Sequence, residues 1–136
     1  MCIRGLSITA RVLQRVFDAY PLIRDWNVLP GWIADVQAAN GEPWCAVLDV
    51  WKFLRDVEPS APPEPLPHTW QVTTDSIAAR VAEVLNADEL ILLKARTAPA
   101  AEDDFMALAE CGYIDEYFPT IAPRLNRVRF TQLTHS

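Results

Sequence analysis

The chain has 136 residues, an apolar fraction of 51% and a formal net charge of -6. This length suits one domain, and this composition excludes an intrinsically disordered chain. The acidic balance opposes a nucleic-acid or anionic-membrane role, since both favour a basic surface, and no apolar run reaches membrane-spanning length.

In chain order, Ile8, Val12, Leu13, Val16, Phe17 and Tyr20 repeat at helical spacing. They predict a first helix opened near Ser7 or Thr9 and stopped by Pro21. Leu22 and Ile23 suit a very short strand. Pro30 stands where a helix start tolerates its missing N–H. Trp32, Ile33, Val36 and Gln37 mark a second, shorter helix, closed by Asn40-Gly41. Trp44 to Val50 reads as a buried strand with Cys45 as a small core residue, and Trp51, Phe53 and Leu54 fall in irregular or helical turns. Five of the eleven prolines lie between Glu58 and Pro67. Such a segment is a linker or a surface loop; the strand-like runs on either side need each other to make a sheet, which favours a loop within a single domain, 1–136.

Thr73, Thr74 and Asp75 precede a helical pattern made by Ile77, Val81, Val84 and Leu85 that ends near Asn86. Leu90 to Leu93 form an unbroken apolar run, as in a strand covered on both faces. Lys94 emerges at its carboxyl end, where ligands collect in open α/β sheets. Ala98 to Ala101 make a loop. Phe105, Met106, Leu108 and Ala109 predict a short helix with Gly112 as its end signal. Ile114 to Phe118 suit one more helical turn before Pro119, and Val128, Phe130 and Leu133 alternate as in a final half-exposed strand. Arg124, Arg127 and Arg129 are either a solvated face or a binding patch. The alternation of helices and strands points to α/β layers around a mainly parallel sheet. Cys2, Cys45 and Cys111 are widely spaced, form no C-x-x-C pair and follow no secretion signal, which points to the cytoplasm.

Val-Thr-Thr-Asp-Ser-Ile-Ala-Ala, a helix, then Ala-Asp-Glu-Leu-Ile-Leu-Leu-Lys resembles the amino acid kinase superfamily of aspartate, glutamate and uridylate kinases. Within it, the sequence is most similar to the aminomethylfuran phosphate kinase branch. The resemblance runs from about Leu6 to the last strand, with its specific part in residues 68–94. It implies an α/β/α sandwich, ATP and magnesium as cofactors, and a small-molecule phosphoryl acceptor bearing a carboxylate or phosphate. It also implies a catalytic Asp75 that holds cationic groups toward the phosphoryl. Thr73 and Thr74, at a helix start rich in free N–H groups, suit the substrate's anionic group.

Lys94 stands where the family places its nucleotide. Relatives continue there with an acidic, glycine-containing loop, whereas this chain reads Ala95-Arg96-Thr97-Ala98-Pro99, with Arg96 as the substitute nucleotide contact. Simpler readings stand beside these: Asp75 as a plain helix cap, worth about 1 kcal/mol, and Lys94 as a strand-end lysine reaching solvent. The isolated glycines 5, 31, 41 and 112 form no phosphate loop, and the family's amino-terminal region has no counterpart. The chain is therefore expected to be the carboxy-terminal, nucleotide-side part of a kinase, inactive alone. It is expected to form a homo-oligomer or to be completed by a missing segment. The alternative is a non-catalytic remnant that acts as a binding or oligomerisation module. His68 and His135 do not read as a metal site, and Asp103-Asp104 read as ordinary acids opening a helix.

Overall fold

Residues 20–38, 45–69 and 72–133 are described by a computed structural model of the chain. The bulk of the helix expected before Pro21 and the Asn40-Gly41 helix end lie outside them. The chain divides into two units, 1–65 and 66–136, with the boundary inside the proline-rich segment.

In the first unit, β1 (Leu22–Ile23) and β2 (Val47–Leu48) pair in parallel, Leu22 opposite Val47 and Ile23 opposite Leu48. β2 is far shorter than the predicted Trp44–Val50 run, and at its carboxyl end Asp49 is the reason. Its main-chain N–H still donates to Ile23 O at 2.9 Å, but its carboxylate accepts from Trp51 N at 3.1 Å and turns the chain into a helix. Cys45 lies ahead of the paired residues and is exposed, which corrects its expected place in the core. α1 (Leu29–Ala38) carries Pro30 in its first turn, where no helical N–H is lost. α2 (Val50–Lys52) runs on into a π-helical turn, Phe53–Val57, and a 3-10 turn, Glu58–Ser60. The core of this unit gathers Ile23, Trp26, Leu29 and Phe53, with the Trp26 and Phe53 rings 4.6 Å apart.

The second unit carries α3 (Thr74–Val84), β3 (Leu90–Lys94), α4 (Phe105–Glu110), α5 (Phe118–Ile121), a 3-10 turn (Ala122–Arg124) and β4 (Val128–Gln132). β3 and β4 pair in parallel along their whole length, from Leu90 opposite Val128 to Lys94 opposite Gln132. α3 ends in a Schellman motif. Asn86 adopts φ 49°, its N–H reaches Glu83 O at 3.1 Å, and Ala87 N reaches Ala82 O at 2.9 Å. α4 ends the same way on Gly112, φ 71°, which brings the next residue, Tyr113, back over Leu108 O at 2.9 Å.

Phe118 packs between Phe105, ring centroids 5.8 Å apart, and Phe130, 6.5 Å apart, and it is fully buried. Leu92 and Phe130 face this core. Ile91 and Leu93 do not: they are 42% and 61% exposed. Among the described residues β3 is therefore covered on one face rather than both, because α3, which packs on it, lies on the Leu92 side. The turn expected over Ile114–Phe118 starts later, at Phe118, and Pro119 opens that helix instead of following it. The architecture is α/β with short parallel strand pairs. No helix among the described residues is long and apolar enough to cross a membrane.

Candidate functional site

α3 and β3 meet at the carboxyl end of the strand pair, and there Lys94 Nζ stands 2.8 Å from Asp75 Oδ2. Asp75 is the second residue of α3, not its cap; the cap position belongs to Thr73. Its carboxylate is thus turned to a cation on the neighbouring strand. Both side chains keep a sixth or so of their surface open, 16% for Lys94 and 18% for Asp75. A partly solvated pair of this kind contributes about 1 kcal/mol or less to stability. Its worth lies in fixing where the ammonium sits.

Tyr113 forms the floor beside this pair. The Lys94 ammonium lies 5.3 Å from the ring centroid and the Arg96 guanidinium 5.6 Å, both within cation–π range. The Tyr113 hydroxyl donates to Arg96 O at 3.0 Å, which ties the post-strand loop to the ring. Burial pushes the phenol pKa above its ordinary value. The negative charges of Glu102 and Asp75 add to this, while Arg96 opposes it. Tyr113 also forms a wall of a pocket of about 400 Å³ with Phe130, Gln132 and the loop residues Thr97, Ala98, Ala100, Ala101 and Glu102. The expected nucleotide contacts, Lys94 and Arg96, are thereby brought to one ring, and Asp75 joins them through Lys94.

Thr73 and Thr74 stand differently. Both are exposed at the start of α3, and Asp115 already engages the donors of Thr73 and Ser76 there. Asp115 Oδ2 accepts from Thr73 N at 3.0 Å, Thr73 Oγ1 at 2.9 Å and Ser76 N at 2.9 Å. Asp115 Oδ1 accepts from Ser76 Oγ and from Phe118 N, the latter at 2.9 Å. An internal carboxylate therefore takes the Thr73 donors that the sequence led us to expect for an anionic substrate group, and none of its bonds goes to Thr74. The sequence reading passed over Asp115. The available signal was an acid three residues ahead of Phe118-Pro119, the pattern of a capping residue before a proline-opened helix.

The arginines near the end are spent on acids. Arg124 Nε lies 2.6 Å from Glu83 Oε1, and Glu83 Oε2 also accepts from the fully buried Arg80 at 2.7 Å. Glu89 Oε1 lies 2.8 Å from Arg129 Nε and 3.7 Å from Arg127 Nε, without the alignment of a hydrogen bond to either. Asp104 accepts from Ala107 N and caps α4, and His68 is exposed. Among the described residues no group of three or more His, Cys, Asp or Glu side chains is placed to hold a metal ion. No family model, curated protein or solved structure matches the chain.

Proposed function

We propose that the chain is the nucleotide-side part of an ATP-dependent small-molecule kinase acting on a carboxylate or phosphate acceptor. Lys94 and Arg96 meet the nucleotide phosphates, and Asp75 holds Lys94 toward them. Phosphoryl transfer depends on cations placed before the reaction, and a lysine fixed by a carboxylate at a sheet's carboxyl end meets that need. The observation that carries this reading is the 2.8 Å Asp75–Lys94 pair at that position. The family resemblance of residues 68–94 supports it. Magnesium, which the resemblance implies, is assigned to no residue here; one or two carboxylates together with the nucleotide phosphates commonly hold it in such enzymes. The same reading carries an α/β/α sandwich, a cytoplasmic setting, and self-association or completion by a segment bearing the glycine-rich loop that this sequence does not contain.

Calorimetric titration of the chain with ATP tests the proposal. The wild type binds, and Lys94→Met weakens binding roughly tenfold, the equivalent of about 1.4 kcal/mol. Absence of ATP binding by the wild type overturns it. A second reading, a non-catalytic binding or oligomerisation module, is favoured by Asp115, which occupies the Thr73 donors among those proposed for a phosphoryl acceptor. ATP binding without transfer, even with the missing glycine-rich segment supplied, would select that reading.

A further inference from the structure

We infer that Asp115 is the positioning residue of the candidate site, the one carboxylate that keeps the Asp75–Lys94 pair and the Tyr113–Arg96 pair in register. In the chain it lies two residues after Tyr113. In space it lies at the start of α3, where it grips Thr73 and Ser76 on either side of Asp75. Buried Tyr113 and Ile114 anchor it from one direction and fully buried Phe118, whose N–H it accepts, from the other. Asp75 stands between the two residues it grips, so the direction of its carboxylate follows from where Asp115 holds the first turn. Lys94 follows Asp75 at 2.8 Å. Without Asp115 the first turn of α3 frays and Lys94 loses its fixed partner.

Asn at this position has the right shape and the wrong chemistry. One oxygen faces the N–H groups of Thr73 and Ser76 and the other that of Phe118. With its oxygen turned to Thr73 and Ser76, the amide presents its NH2 to Phe118 N, which keeps the main-chain carbonyl of residue 115 at 3.2 Å, so Asn retains part of the grip and only Ala removes both acceptors. The role rests on the nucleotide reading only in so far as Lys94 meets phosphate; the positioning itself is measurable without any ligand.

The chain has two lysines, Lys52 and Lys94, so in a Lys52→Arg background Lys94 is the only lysine an acylating reagent can label. Mass spectrometry then reads its labelling rate under native conditions. Asp75→Asn sets the rate for an unheld Lys94, severalfold above the parent. Asp115→Ala, which removes both acceptor oxygens, is expected to reach the same rate, with Asp115→Asn below it. Thr73→Val, which deletes only the hydroxyl bond, falls between parent and Asp115→Ala, and it decides the matter by the same measure should Asp115→Ala not fold. Asp104→Ala removes the cap of α4 and leaves Lys94 labelling unchanged, which separates positioning from a general loss of stability. Parent-like labelling in the Asp115 and Thr73 variants overturns the inference. Faster labelling in a chain that binds no ATP keeps Asp115 in its role and sinks the nucleotide reading. ATP binding with parent-like labelling does the reverse.

Discussion

Each unit sets an acid against a base at the carboxyl end of a parallel strand pair, and each uses it differently. In the first, Asp49 follows β2 and its side chain is only 4% exposed. It accepts from Trp51 N, its carbonyl accepts the Trp26 indole N–H at 3.0 Å, and Arg24 Nε approaches at 3.4 Å. In the second, Lys94 and Asp75 remain partly open beside a pocket. The same topological position is sealed into structure in one case and left accessible to chemistry in the other. Burial decides which: a carboxylate buried between a main-chain donor and a guanidinium has little surface left for a ligand.

The sharpest way to break this comparison is to ask whether the units stand independently. Phe118→Ala removes a fully buried ring from the second unit and should cost about 3–5 kcal/mol. Hydrogen exchange should then show protection lost across residues 72–133 and kept across 22–60. Loss in both would make the two a single cooperative structure.

Next, Asp49→Ala should cost roughly 2–3 kcal/mol in urea unfolding, because it strips a buried charged acceptor from a helix cap. Asp75→Asn should cost less than about 1 kcal/mol while abolishing most of the ATP affinity. Equal stability losses would erase the distinction between a structural and a functional acid.

Tyr113→Phe is a smaller change, about 1 kcal/mol at neutral pH from the lost bond to Arg96 O. Its signature is pH dependence. The folded phenol holds its proton more tightly than the unfolded one, so its contribution is complete below the ordinary value of 10.0 and is lost as pH rises through the higher folded value. The Phe variant should show a flatter alkaline loss of stability in thermal melts. Smallest of all, Leu93→Lys should change monomer stability by no more than about 0.5 kcal/mol. Light scattering should still detect reduced self-association, because Leu93 is 61% exposed on an uncovered sheet face.

Local chemistry was legible in the sequence where neighbours in the chain are neighbours in space. The pattern Thr73 to Lys94 gave a helix, its end at Asn86 and a strand closing on Lys94, since caps, periodicity and apolar runs act over a few residues. The partner of Lys94 was half legible, as an acid expected to hold cations. Asp115 was not, because it meets Thr73 from 42 positions away and no short-range rule spans that distance. Ile91 and Leu93 misled for a related reason. An apolar run shows that a strand is hydrophobic without saying how many faces the fold will cover. At Cys45 an apolar run was read as pairing that begins only two residues later.

The long reach of Asp115 also has a temporal side. Thr73 makes no side-chain cap of its own, so the first turn of α3 is finished only by a residue from much later in the chain. During synthesis the helix and the strand after it leave the ribosome before their clamp has been made. The Asp75–Lys94 pair is therefore set late, when the turn at Asp115 closes onto α3. Contacts of such high sequence separation slow folding, because the loop must close before they stabilise anything. A nascent chain stalled ahead of residue 115 would hold the helix sequence without the geometry that aims Asp75.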